Sequence, residues 1–143
     1  MSDAGPAAGT AAATHVFPVR VYYEDTDAGG VVYHANYLRF AERARSEMLR
    51  AAGIAHADLM AREGLAFTVR RCEVDFLKPA RLDDALEVHT RVLAARGARV
   101  EAEQVVRRDG DALARLRLEI ACVDRAGRPA RLPAAVTGAF GTP

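Results

Sequence analysis

From Tyr37 to Ala51 the apolar residues Tyr37, Phe40, Ala41, Ala44, Met48 and Ala51 recur at helical spacing, with Arg39, Glu42, Arg43, Ser46 and Arg50 opposite them. That period predicts one long amphipathic helix with a single buried stripe. Asn36 is its expected N-cap and Gly53 its expected C′ residue. A shorter helix is expected from about Ala55 to Arg62, stopping at Gly64.

Elsewhere the period is two. Leu86, Val88, Thr90 and Val92 alternate with Glu87, His89 and Arg91, and Leu116, Leu118, Ile120 and Cys122 alternate with Arg115, Arg117 and Glu119. Each segment is expected to be a strand buried on one face. Stretches from Val16 to Tyr23, Phe67 to Lys78 and Arg99 to Val106 read as three more strands, the first confined by Pro18 to an edge or a strand start. Turn chemistry falls at Pro79 to Asp84, at Arg96-Gly97 and at Asp109-Gly110. A meandering antiparallel sheet with one strongly apolar helix is expected to curl around that helix as a two-layer α+β domain.

Composition narrows the picture. A chain of 143 residues suits one core, here expected over residues 16–143, and residues 1–15 lack the large side chains needed to offset ordering entropy and are expected to form a disordered tail. With 20 Lys plus Arg against 19 Asp plus Glu there is no general field to gather nucleic acid or anionic lipid. Neither a secretory signal nor an apolar run of membrane-spanning length is present, so the chain is not expected to be an integral membrane protein. Cys72 and Cys122 lie in strand-like segments without C-x-x-C spacing and read as reduced core thiols, which points to the cytoplasm.

The candidate chemistry lies in the turn before the long helix, Glu24-Asp25-Thr26-Asp27-Ala28-Gly29-Gly30-Val31-Val32-Tyr33-His34. Backbone N–H groups and the positive dipole end at a helix entrance polarise a carbonyl oxygen and stabilise an oxyanion. Glycines let the backbone approach a substrate closely, and a nearby carboxylate can attack an acyl carbon or deprotonate water. The same residues would equally serve as turn-formers capping a helix. A calcium-loop template fails where Gly29 and Asn36 stand at ligand positions. His15, His56 and His89 show no metal-ligand spacing, so neither a metal nor a cofactor is expected.

The stretch V-R-V-Y-Y-E-D-T-D-A-G-G-V-V-Y-H-A-N-Y-L-R-F-A-E-R-A-R-S-E-M-L-R, residues 19–50, closely resembles the Tol-Pal-associated (YbgC-type) acyl-CoA thioesterases of the 4-hydroxybenzoyl-CoA thioesterase superfamily. F-T-V-R-R-C-E-V-D-F-L-K-P-A-R-L-D-D-A-L-E-V, residues 67–88, is similar to the same family's next strands. The resemblance implies a hot-dog fold, metal-free hydrolysis of an acyl-CoA or acyl-carrier-protein thioester, and a homodimer, paired again into a tetramer, with sites at the dimer interface. It places the catalytic carboxylate on Asp27 rather than Asp25. It sets the His34 N–H toward the thioester carbonyl, with the imidazole adding a hydrogen bond, and Tyr33 beside the acyl group near Gly30. Arg96, in the A-A-R-G turn, falls where the superfamily contacts the nucleotide. A hot-dog dehydratase and a noncatalytic acyl-binding adaptor remain alternatives at this stage.

Overall fold

The computed structural model describes residues 14–141. Most of the tail expected over residues 1–15 lies outside them. The elements are β1 (His15–Arg20), a 3-10 turn (Tyr23–Asp25), α1 (Asn36–Ala51), α2 (His56–Glu63), β2 (Ala66–Phe76), β3 (Ala85–Arg96), β4 (Arg99–Arg108), β5 (Asp111–Val123) and α3 (Ala134–Phe140).

All neighbouring strands are antiparallel, in the order β1-β3-β4-β5-β2. The expected meander therefore holds for β3-β4-β5 alone, and β2 pairs with β5 instead of β3. The cause is local. Gly97 (φ 62°) and the Asp109-Gly110 pair (φ 52° and 87°) supply the positive φ values of tight hairpins. The 77–84 connection carries Pro79 and instead crosses from the β2 edge of the sheet to β3, the strand beside the opposite edge.

α1 lies across the concave face. Its Phe40, Ala41 and Ala44 are fully buried and join one apolar cluster with Val88, Val106 and Leu116 of the sheet. A buried aromatic of this size stabilises the fold by about 2–3 kcal/mol through area removed from water. The alternation read in β3 is the observed one, with Leu86, Val88, Thr90 and Val92 buried.

α1 ends as expected. Gly53 (φ 83°) donates to Arg50 O at 2.9 Å and Ile54 to Leu49 O at 2.9 Å, which closes the last turn as a Schellman motif. Its beginning differs from expectation: Ala35 precedes the helix and Asn36 is its first residue, its side chain turned inward to Asp25 rather than capping. α3 was not expected, since Ala134–Phe140 offers only Val136 and Phe140 at i, i+4 spacing around a glycine. Among the described residues no helix is long and apolar enough to cross a membrane.

Candidate active site

Asp25 organises the excursion between β1 and α1. The residue is 4% exposed, with Oδ2 accepting from Tyr22 N–H and Oδ1 from Asn36 Nδ2, both at 2.8 Å. Its carbonyl accepts from Tyr33 N–H at 2.9 Å. A buried carboxylate is tolerated when its oxygens are satisfied in this way. The result is a clamp that holds the entrance of α1 against the 3-10 turn.

The loop between these anchor points is a tight reversal. Asp27 N–H donates to Val31 O at 2.9 Å, Gly30 N–H to Asp27 O at 3.0 Å, and Thr26 bridges Val32. Asp27 is exposed, and Oδ1 accepts from Gly29 N–H at 2.8 Å and, more weakly, from Val31 N–H at 3.4 Å. Among the described residues Oδ2 accepts no hydrogen bond. The two glycines do different work. Gly30 supplies a φ of 81°, whereas a Cβ on Gly29 would lie 3.2 Å from Asp27 Oδ1. Gly30 spends its own N–H inside the loop.

The first-turn amides of α1 are also engaged locally, Asn36 to Tyr33 O, Tyr37 to His34 O and Leu38 to Ala35 O. Among the described residues the backbone N–H groups of His34 and Ala35 donate to no hydrogen-bond acceptor. Those two residues stand immediately before the first residue of α1. The His34 ring lies 4.5 Å from the ring of Tyr33 and 6.2 Å from that of Phe76, centroid to centroid. It lines an open cleft of about 270 Å³ with Val32, Tyr37, Phe76, Lys78 and Pro79.

The loop is docked on the 77–84 connection, which the sequence marked only as a turn. Val32 N–H donates to Ala80 O at 2.8 Å, and the buried Tyr37 hydroxyl accepts from Ala80 N–H at 3.0 Å. Burial pushes the Tyr37 phenol up against the opposing pull of that N–H and of Arg108, so it stays protonated. Arg108 Nη1 in turn donates to Pro79 O at 3.2 Å and to Asp84 Oδ2 at 2.7 Å. Burial works to raise the Asp84 carboxyl, but the Arg81 N–H and the Arg108 guanidinium outweigh it and hold it below the usual range. The parts that Asp25, Asn36, Asp84 and Arg108 play were not foreseen from the sequence, because each acts through a partner distant along the chain.

One chain does not assemble every expected group. Gly30, Tyr33 and His34 share the Asp27 excursion, but Arg96 ends β3, whose opposite end at Ala85 pairs with Arg20 just before the loop. Twelve residues at ~3.3 Å each separate those ends along the strand. Arg96 lines a separate groove with Arg70, Arg99, Glu119 and Pro129. A cavity of about 320 Å³ lies along the C-terminal half of α1, lined by Arg45, Met48, Leu49, Phe67, Val69 and Val136 among others. No cluster of three or more potential metal ligands occurs among the described residues.

A five-stranded antiparallel sheet wrapped on one long helix is the hot-dog fold of thioesterases. The chain belongs to the thioesterase-like superfamily, whose sequence profile matches residues 21–140, and it is a thioesterase of that family. It is 46% identical over 125 residues to the acyl-CoA thioesterase YbgC of Haemophilus influenzae, covering 87% of this chain and 92% of that one. A crystal structure of a probable thioesterase from Bartonella henselae is 43% identical with a TM-score of 0.81, over 85% of this chain and all of that one. A 1,4-dihydroxy-2-naphthoyl-CoA thioesterase from Synechocystis shares the fold with a TM-score of 0.82 at 24% identity, over 89% and 95% of the two chains. The YbgC-type resemblance of the motif thus extends over most of the chain.

Proposed function

We propose that the chain hydrolyses acyl-CoA thioesters to the free acid and CoA, with Asp27 as the reacting carboxylate. The observation that carries this reading is the division of labour within D-T-D: Asp25 is consumed in the buried clamp, while Asp27 is exposed with Oδ2 uncommitted. The thioester carbonyl accepts from the N–H groups of His34 and Ala35, and this polarisation is stronger in the tetrahedral transition state than in the ground state. Asp27 then follows one of two routes. As nucleophile it bonds to the acyl carbon and expels CoA thiolate, leaving a mixed anhydride that water cleaves; as general base it takes a proton from the attacking water. Both end in carboxylate and CoA thiol.

Gly30 and Tyr33 flank the acyl group, and the His34 imidazole adds a hydrogen bond at the carbonyl. The active unit in this proposal is a homodimer, paired again into a tetramer. The Arg96 of one chain then meets the CoA phosphates held at the loop of the other, a task suited to its planar fork of donors. The free thiols of Cys72 and Cys122 fit a reducing compartment such as the cytoplasm. The test is thiol release from acyl-CoAs of graded length, with acyl-carrier-protein thioesters alongside. Turnover of none of them by parent protein would overturn the reading, and equal turnover by Asp27→Asn would remove Asp27 from it.

A further inference from the structure

Arg45 lies in the second half of α1 and turns inward, where Nη1 donates to the buried Gln104 Oε1 at 3.0 Å. That acceptor is neutral. Among the described residues the guanidinium makes no other hydrogen bond and no ion pair. Burial pulls it down, with Glu42 opposing, as expected of a cation taken partly out of water with no carboxylate against it. Buried charges are ordinarily paired. Here most of the donors of the guanidinium fork have no protein acceptor.

Those donors border a cavity. Arg45 lines the space of about 320 Å³ along the C-terminal half of α1. From Gln104, where the guanidinium is anchored, the inner face of β4 runs four residues, about 13 Å, to Val100. Val100 stands in register with Ile120 of β5, and Ile120 with Val69 of β2. These three side chains line the cavity together with Val136 and Phe140 of α3. The space is thus cationic where Arg45 meets it and apolar along its length. At about 30 Å³ for each water-sized group it holds on the order of ten. Glu42 also lines it, but that side chain is exposed and solvent screens it.

We propose that this cavity binds a free medium-chain carboxylic acid, its carboxylate held by the Arg45 fork and its chain laid along Val69, Val100 and Ile120. A planar carboxylate matches the fork with two parallel hydrogen bonds, whereas an alcohol or amide of the same length would leave the cation unpaired. A single negative charge balances the single guanidinium. A doubly charged phosphate would add an excess charge beside Glu42. No residue of the Asp27 loop lines the cavity, and α1 rises about 14 Å from Asn36 to Arg45. A thioester at the loop of the same chain therefore does not supply the acid group, and the occupant brings its own. Hydrolysis of an acyl-CoA releases an acid of this class, so the site would retain product. That consequence rests on the thioesterase reading of the Asp27 loop; the binding does not.

Titration calorimetry of the protein with octanoate, octanol and acetate separates the head from the tail. Octanoate is expected to bind once per chain, octanol about tenfold or more weakly, and acetate not at all over the same range. Arg45→Met should bring octanoate down to the level of octanol and leave octanol unchanged. Because Arg45 also holds Gln104, Val69→Phe supplies a second variant: Val69 is 44% exposed, so the larger side chain narrows the cavity from its open side and should weaken both ligands. Equal binding of octanoate and octanol, or octanoate binding that folded Arg45→Met or Val69→Phe leaves intact, would overturn the proposal. Asp27→Asn should bind octanoate as the parent does, and a loss there would place the acid at the loop instead. None of these readouts uses turnover. An inactive protein that binds octanoate through Arg45 sinks the catalytic reading alone, and an active one that does not bind it sinks this site alone.

Discussion

The side-chain amide of Asn36 donates to Asp25 Oδ1 at 2.8 Å inside the protein, across eleven positions of sequence. This bond separates two acids that stand two residues apart. Asp25 accepts from Asn36 and from Tyr22 N–H, and in Asp25→Asn one of those donors faces an NH₂ group. That variant is expected to lose about 1–3 kcal/mol, or roughly 3 °C or more of melting temperature. Asp27→Asn keeps Oδ1 for the Gly29 N–H, so it should melt with the parent while kcat falls about 10²-fold or more. Thermal melts and turnover of both variants decide this. A reversed pattern, with Asp27→Asn unstable and Asp25→Asn folded but dead, would sink the assignment.

The adjacent glycines make a second separable pair. Gly30→Ala puts a side chain at φ 81°, at a cost of about 1–2 kcal/mol in stability. Gly29→Ala sets a methyl 3.2 Å from Asp27 Oδ1, close enough to displace the carboxylate without straining the fold. Its kcat should fall by more than its melting temperature suggests. Unchanged turnover in Gly29→Ala would mean that the carboxylate position seen here does not matter to the reaction.

What was legible in the sequence were the features that repeat. α1 announces itself through six apolar residues on one stripe, of which all but Ala51 are buried, and β3 and β5 through alternation, because such positions report the same burial. Gly53 and Gly64 stop their helices at positive φ, a demand that few other residues meet. Asn36 was misread as a cap because Asp25, far back in the chain, claims its side chain. The place of β2 beside β5 was hidden for a related reason: strand pairing is settled by which crossing the 77–84 connection allows, and that segment carries no period. In the candidate site the D-T-D motif marked the loop, but neither the clamp role of Asp25 nor the support from Arg108 has a local signal.

That support yields a prediction in acid. Asp84 and Arg108 join at 2.7 Å and steady the 77–84 connection on which the Asp27 loop rests. The Asp84 carboxyl is held below its ordinary value, near 3.9. Its contribution is therefore complete above that ordinary value and is lost as pH falls through the lower folded one. Asp84→Asn should lower stability by about 1 kcal/mol, discounted for partial exposure, and by a constant amount from neutrality to about pH 5. The gap between parent and variant should close only below about pH 4. Urea unfolding across that range is the check, and a gap that narrows between neutrality and pH 5 would contradict the pairing.

The last prediction concerns Gln104, which is fully buried beneath α1. Its Nε2 donates to Ala41 O and to Thr90 Oγ1, each at 2.9 Å, and its Oε1 accepts from Arg45 Nη1 at 3.0 Å. One amide thus joins the middle of the long helix to two strands and to an arginine that lines the cavity. Burial pulls the Arg45 guanidinium down, with Glu42 opposing, so an acceptor at this position has value to it. Gln104→Leu should cost about 2–3 kcal/mol, since Thr90 and Ala41 O lose a buried donor together. Thr90→Val removes one bond and should cost about 1 kcal/mol. If the group acts as a unit, the double variant falls short of the sum by about 0.5 kcal/mol or more. Strict additivity in denaturant melts would show that Gln104 holds the helix without Thr90. A Gln104→Leu protein as stable as the parent would show that apolar packing alone sets the seat of α1, and with it the position of the His34 and Ala35 amides at its entrance.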